Sequence, residues 1–375
     1  MIAIAALFAL SAPVAAAASP IVAITVPSSP FLEKRGDGTH INFDVILHNQ
    51  GDVPLRLVSI REQVFGPRGD LVQQREINAN GRPSALAGLG ELLLPPGGYK
   101  DLYQPFQDLD GAPDRARIRL TLIFLRPDRP VPPVALAGDA VVMVDVTPRA
   151  YRPAAYCLPL SGRLLVHDGH DLNSHHRRRD LVASTVGDPA KGLNANLYAY
   201  DFVRIGPDGA LFHDVADRKE NWLTFGAVIS SPVAGIVTEA VDGVPDNSFR
   251  NGQAEIPKAA EAVDPQGFGN HVVVRAADGR VSWLLHMEPG TVAVKTGDRV
   301  RAGQTLGRVG FSGDSLFPHL HYTVTNAATY PSQGVPSYFA HFRRAAGGAI
   351  AYGQIDTGDL VEADQAPGCR AGGRR

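Results

Sequence analysis

The stretch FPHLHYTV (317–324) sets two histidines two positions apart in a run that otherwise reads as a β-strand. Successive strand side chains point to opposite faces, so His319 and His321 project together while Leu320 and Tyr322 point the other way. A lone strand histidine is most often a hydrogen-bonded surface or core residue, but two imidazoles on one face can share a metal or a proton. Three other stretches hold side chains able to join them. In NLYAYDFV (196–203), Asp201 shares a face with Leu197, Ala199 and Val203, and a carboxylate buried there needs a partner. DLNSHHRRRD (171–180) places His175 and His176 ahead of three arginines, which alone reads as a solvated basic loop or a phosphate-binding patch. His286 ends the strand-like VSWLLH, directly before the turn Met287-Glu288-Pro289-Gly290.

These residues fall in the second of two β-rich regions. Residues 20–148 hold short apolar runs separated by turn signals, among them IVAITV, HINFDVILHN, LRLVSIREQVFG and RIRLTLIFL. In HINFDVILHN, Ile41, Phe43, Val45 and Leu47 alternate with polar or exposed positions, the pattern of a half-buried antiparallel strand. The region predicts an immunoglobulin-like β-sandwich, a spacer or binding module without a catalytic cluster; His40 and His48 read as ordinary solvated histidines. TPRAYRPAAYCLP, rich in proline and alanine, marks a linker over 149–159. From 160 to 345 strands dominate again, interrupted by long polar inserts at 178–193, 206–222 and 242–268 that read as walls of a site or as disorder. Residues 346–375, Gly-rich and ending in two arginines, predict a loosely structured tail.

Composition narrows the chemistry. A formal charge of −2 and a pI near 6.6 give no basic field for nucleic acid. Residues 1–18 are apolar and end in small residues before Ser19-Pro20, which predicts a cleaved signal peptide despite the lack of Lys or Arg near the start. No second apolar run of spanning length follows, so no membrane span is expected after cleavage, and the protein is expected to be exported to the periplasm or beyond. Cys157 and Cys369 are the only cysteines; in an exported chain such a pair usually forms a disulfide. Two cysteines cannot build a cysteine-rich zinc site, so any metal must use histidines and carboxylates. No His-Glu-Xaa-Xaa-His, no phosphate-binding glycine loop and no GxSxG turn occurs.

Six ordered segments, YAYDF (198–202), PVAGIV (232–237), GNHVVV (269–274), LLH (284–286), GDRVRAGQ (297–304) and PHLHY (318–322), make the second half resemble the lysostaphin-type zinc endopeptidases that cut peptide bridges in bacterial cell walls. The resemblance spans about residues 160–330. It implies an antiparallel β-sheet peptidase domain with Asp201 and His321 as zinc ligands and His286 and His319 as unligated catalytic histidines. It implies a first ligand histidine as well. The compact family pattern places it a few residues before the aspartate, whereas here His175 lies twenty-six positions before Asp201 and His176 twenty-five. Asn-Xaa-His (173–175) favours His175, with His176 as the alternative. His167 and His170 read as loop histidines, and His213, His271 and His341 have no matching partner.

The chemistry that such a set could perform is hydrolysis. Two histidines, a carboxylate and one open position form a catalytic zinc arrangement in which the pKa of water falls toward ~7 and a scissile carbonyl is polarised. His319 and His286 could then serve as general base and oxyanion stabiliser. The expected partners are stem or cross-bridge peptides of peptidoglycan, with Zn2+ as cofactor. The alternatives are a non-catalytic cell-wall-binding regulator of another hydrolase, a metallopeptidase of extracellular proteins, and adhesion through the sandwich domain. Oligomeric state and the bond cut are not encoded in any of these motifs.

Overall fold

The apolar runs closed by turns become strands. The computed structural model describes residues 22–25, 30–35, 38–90, 92–109, 117–132, 137–151, 154–169, 171, 174–178, 187–188 and 193–363. Among the described residues one short α-helix, Lys258–Val263, accompanies the strands, as an all-β chain requires. The signal peptide expected over 1–18, together with His170 and Cys369, lies outside them.

In the first region one antiparallel sheet orders the strands Val22–Thr25, Asp44–Asn49 and Tyr99–Tyr103. A second orders Ala140–Val146, Arg117–Leu125, Leu55–Phe65 and Leu71–Asn78. Val45, Leu47 and Leu102 from the first meet Leu57, Ile60, Leu120, Leu122 and Phe124 from the second in one core, which gives the region the layered form of a sandwich. One expectation fails in an informative way. The positions of HINFDVILHN that alternate with the core residues are not solvated, because Asn42, Asp44 and Ile46 are buried as well. Their face is covered by the second region.

That region is a long sheet with the strand order Ala155–Tyr156, Tyr338–Arg344, Leu360–Ala363, Gly162–Asp168, Tyr200–Arg204, Leu320–Thr325, Val281–Met287, Asn270–Ala276, Gly235–Val241 and Arg299–Val300. Neighbours are antiparallel except for the first pair. Alternation sends Tyr200, Phe202, Leu320, Tyr322 and Leu284 into the core beneath, with Phe339 and Val361 against them. The opposite face of the same strands is left for polar side chains.

Two segments, one expected as a linker and one as a loosely structured tail, contain strands among the described residues. In the expected linker, Arg149–Ala150 pairs with Phe31–Arg35 and Ala155–Tyr156 pairs with Tyr338–Arg344. The Tyr151 hydroxyl donates to the Pro336 carbonyl. The expected tail forms the strands Gly348–Gly353 and Leu360–Ala363, the latter seated between Gly162–Asp168 and Tyr338–Arg344. The physical reason is burial: Ile355 and Val361 are fully enclosed, which outweighs the entropy cost of the intervening glycines. Burying one such side chain contributes about 1.5–3 kcal/mol. A chain ending at residue 347 is therefore expected to lose more than about 3 kcal/mol relative to one ending at 364, read from urea unfolding. Equal midpoints for the two would remove the tail from the fold.

Candidate active site

Strand register builds the site. Asp168 stands opposite Asp201, Asp201 opposite His321, and His321 opposite Leu285, so four adjacent strands deliver one row of positions. Directly opposed residues share a face, which is why Asp201 and His321 meet although they are far apart in the chain. His319 precedes the strand Leu320–Thr325 and points to the same side, and His286 follows Leu285 at the end of its own strand.

The centre of the cluster is a single carboxylate oxygen. Asp201 Oδ1 lies 3.0 Å from His321 Nδ1, 3.3 Å from His319 Nε2 and 3.5 Å from His176 Nε2. The rings of His286 and His319 are 5.0 Å apart, and those of His176 and His321 4.9 Å. Two groups of ligand atoms, His286–His319–His321 and His175–His176–Asp201, each lie within 4.8 Å, and the contacts of Asp201 join them into one cluster. All but His175 are buried. The cluster floors a cavity of about 150 Å³ that Phe268, Trp283, Phe317 and Tyr330 help to wall.

The two adjacent histidines of the SHHR loop behave differently. The His175 side chain is 57% exposed, and its Nδ1 faces Asp168 Oδ2 at 3.0 Å. The His176 side chain is 1% exposed and turns inward to Asp201. Of the two, the His175 ring is drawn to Asp168, while His176 makes the closer approach to Asp201. Asp168 fixes which one does: its Oδ1 accepts the backbone N–H of His175 at 3.0 Å, while Oδ2 also meets His167 Nδ1 at 2.9 Å.

Backbone carbonyls hold the other imidazoles. His286 Nδ1–H donates to the Ser312 carbonyl at 2.8 Å, and His319 Nδ1–H donates to the Phe317 carbonyl at 2.8 Å. A carbonyl can only accept, so both rings carry a proton on Nδ1; His286 keeps Nε2 available to the cavity, while His319 Nε2 faces Asp201. His286 is also held at a φ of 63°, a left-handed conformation that is uncommon for a side chain of this kind and is concentrated at functional sites. The support is Asn270, whose Nδ2 donates to the Val244 and Met287 carbonyls at 2.8 and 3.0 Å. Ser312 Oγ donates to Met287 O at 2.8 Å and accepts from the Asn270 N–H at 3.0 Å. Gly269 has no room for a side chain: a Cβ there would come within 2.4 Å of Ser312 Oγ. Sequence reasoning assigned no role to Asp168, Asn270 or Ser312; the signal available was the polar Gly-Asn pair before an apolar strand.

The second and third inserts supply walls of the site. Trp222 stacks on Phe317 at 5.3 Å, and Phe317 in turn lies 5.0 Å from the His319 ring and 4.8 Å from His167. Gln266, Gly267 and Phe268 from the third insert line the cavity opposite. His271, by contrast, donates from Nδ1–H to the Gly269 carbonyl at 2.7 Å and faces Glu239, away from the cluster.

Electrostatics follow burial. Desolvation pushes against ionising Asp201, but the charges of His319 and His176 and the hydrogen bonds of His319 and His321 outweigh it and hold the carboxyl well below the usual range. Burial pushes His176 down to about 3 and also lowers His286 and His321. For His319, burial is outweighed by the facing Asp201 carboxylate, and the ring is raised. The lowered imidazoles of His176 and His321 beside an ionised carboxylate, with His176 Nδ1 buried and without a hydrogen-bond partner, are a nitrogen–oxygen donor set that suits zinc.

The lowered histidines set a pH dependence for the metal-free protein. Between their folded values and the ordinary 6.5 the unfolded chain binds more protons, so stability should fall as pH drops from 6.5, for His176 down to about 3. His319 acts with the opposite sign, since its contribution is present below 6.5 and lost as pH rises through its folded value. The urea midpoint of chelator-treated protein should decline between pH 6.5 and 4.5, less steeply in His176→Gln. A flat profile would contradict this account of the cluster.

The profile of Peptidase family M23 matches residues 226–336, which takes in His286, His319 and His321. A curated relative, the peptidoglycan DD-endopeptidase ShyC of Vibrio cholerae, is 35% identical over 92 residues. That match covers 24% of this chain and 18% of the relative, so less than a fifth of the relative's length is represented. Among solved structures, the catalytic domain of lysostaphin from Staphylococcus simulans aligns at 23% identity and a TM-score of 0.24, over 39% of this chain and 79% of that one. The catalytic domain of the prophage-encoded M23 protein EnpA from Enterococcus faecalis aligns at 24% identity and a TM-score of 0.21, over 36% and 86%.

Proposed function

Because residues 226–336 are a Peptidase family M23 domain, we propose that the protein is an exported zinc metalloendopeptidase that hydrolyses peptide cross-links of bacterial peptidoglycan. The observation that carries the reading is the juxtaposition in one cavity of His176, Asp201 and His321 with two further imidazoles, His286 and His319, whose Nδ1 atoms are occupied by backbone carbonyls. Metal-assisted amide hydrolysis uses a ligand set and a proton-transfer pair, and these five residues could supply both. The likeness to the Vibrio cholerae peptidoglycan DD-endopeptidase supports peptidoglycan as the substrate class. The apolar start of the chain supports export and the oxidising compartment that goes with it.

His176, Asp201 and His321 would hold the zinc. His176 takes the place for which the Asn-Xaa-His spacing favoured His175, because its Nε2 faces Asp201 while His175 is turned outward onto Asp168. When bound, zinc supplies Lewis acidity, which lowers the pKa of water and polarises a carbonyl. The remaining work falls to the chain. His286 and His319 would divide the roles of general base and oxyanion stabiliser: the lowered His286, its Nδ1 proton given to Ser312, could take a proton at Nε2, and His319, raised by Asp201, could donate to developing negative charge. Phe317, Phe268 and Trp283 exclude water from that exchange and strengthen each polar contact within it.

Elemental analysis should find about one zinc per chain, lost in His176→Ala, Asp201→Ala and His321→Ala and kept in His175→Ala. His286→Ala and His319→Ala should keep zinc and lose roughly 10²–10⁴ in the rate of release of muropeptides from purified, cross-linked wall. Hydrolysis unchanged in the double variant would place the chemistry elsewhere. No hydrolysis by zinc-loaded wild type on any wall type would favour the wall-binding regulator instead.

A bridge between Cys157 and Cys369 belongs to the same proposal. Cys157 is buried beside the start of the long sheet, and a bridge would tie the chain's last residues to it. Loop entropy gives about 4–5 kcal/mol for a ring of that size as an upper limit. Titration of unreduced exported protein should find no reactive thiol; two would refute the bridge.

A further inference from the structure

One strand of the N-terminal region reaches the site from outside the M23 domain. The Asp44 carboxylate lies 2.7 Å from Arg177 Nη1 through Oδ1 and accepts a 2.9 Å bond from Asn194 Nδ2 through Oδ2. Arg177 Nη2 also approaches the Phe43 carbonyl at 3.4 Å. Asp44, Arg177 and Asn194 are all buried. Arg177 directly follows His176, and Asn194 begins the segment that runs into Asp201. One carboxylate thus grips both ends of the insert that separates two of the residues proposed to hold zinc. Beside it, Ile46 of the same strand packs against Tyr330, a wall of the cavity.

The insert makes that grip necessary. With the histidine only a few residues from the aspartate, the strand itself would fix both ligands. A separation of twenty-five positions leaves His176 on a loop whose position must be set by contacts beyond the sheet. A buried ion pair is a poor device for stability alone, since apolar residues of like volume usually do as well. Its use is geometric: a guanidinium bound at a fixed carboxylate is held in orientation, and here the neighbouring residue in the chain is His176.

We propose that Asp44 is a positioning residue for the metal centre, fixing His176 through Arg177, so that the N-terminal sandwich completes the catalytic unit and is not a spacer. This rests on the reading of His176 as a ligand. Glu33 supplies the control. It is an equally buried acid in the same region, bonded across the seam to Gln354 at 2.9 Å and to Tyr338 at 3.3 Å, residues outside the histidine loop.

The test uses the full chain, with zinc affinity from chelator competition and the visible spectrum of the cobalt(II)-substituted protein as readouts. Asp44→Asn should weaken zinc binding about tenfold to a hundredfold, the range for loss of a group that orients a ligand, and should alter the cobalt spectrum. Glu33→Gln should leave both unchanged. Wild-type affinity and spectrum in folded Asp44→Asn would overturn the proposal, as would equal weakening by Glu33→Gln, which would mean that domain docking alone matters. If Asp44→Asn does not fold, Arg177→Lys reads the same contact, because it keeps the charge and loses the fork; unchanged zinc affinity there overturns it too. His176→Ala separates the two levels. If it loses zinc while Asp44→Asn keeps it, only the positioning role falls; if it keeps zinc, the ligand reading fails and the positioning role with it.

Discussion

Everything in the second region is arranged around the burial of one negative charge. Asp201 sits in the middle of a sheet, 4% exposed, where an unpaired carboxylate would be strongly unfavourable. Three imidazoles from two segments converge on its Oδ1, and each is brought there by a different device: strand register for His321, the turn before that strand for His319, and an ion-paired loop for His176. The same arrangement that makes the charge tolerable creates a set of donor atoms able to hold a cation.

The outer imidazoles are fixed by a second principle. Their protons go to main-chain carbonyls, which do not change with pH and cannot exchange donor for acceptor. Ser312 and Asn270 then lock the turn that carries His286 in a conformation its backbone would not choose. Strain at His286 is thus balanced by a hydrogen-bond network in which every member is buried.

Much of this was legible in the chain. The two-residue spacing of His319 and His321 named a common face, and the apolar company of Asp201 named a carboxylate in need of partners. His286 stood where a strand met a turn. Other features were hidden for physical reasons. His175 and His176 are adjacent in a loop, where no periodicity assigns a direction, and the choice between them depends on Asp168 from another strand. Asn42 and Asp44 looked like the solvent side of a half-buried strand because a docked face and a wet face carry similar residues. The glycines around Gly348–Gly353 suggested looseness, while the apolar residues that order the segment, Ile355 and Val361, are too few and scattered to read as strands.

The position of Leu360–Ala363 inside the sheet has a consequence in time. The strand lies between Gly162–Asp168 and Tyr338–Arg344, so the neighbour that carries Asp168 has an open edge until residue 363 has been made. An unpaired edge next to a developing core is slow to settle and exposed to wrong pairing. A nascent chain therefore carries every residue of the histidine–aspartate cluster well before the sheet that aligns them can close. Assembly of the site is coupled to synthesis of residues 360–363, and a chain truncated before them is left with the groups but not their register.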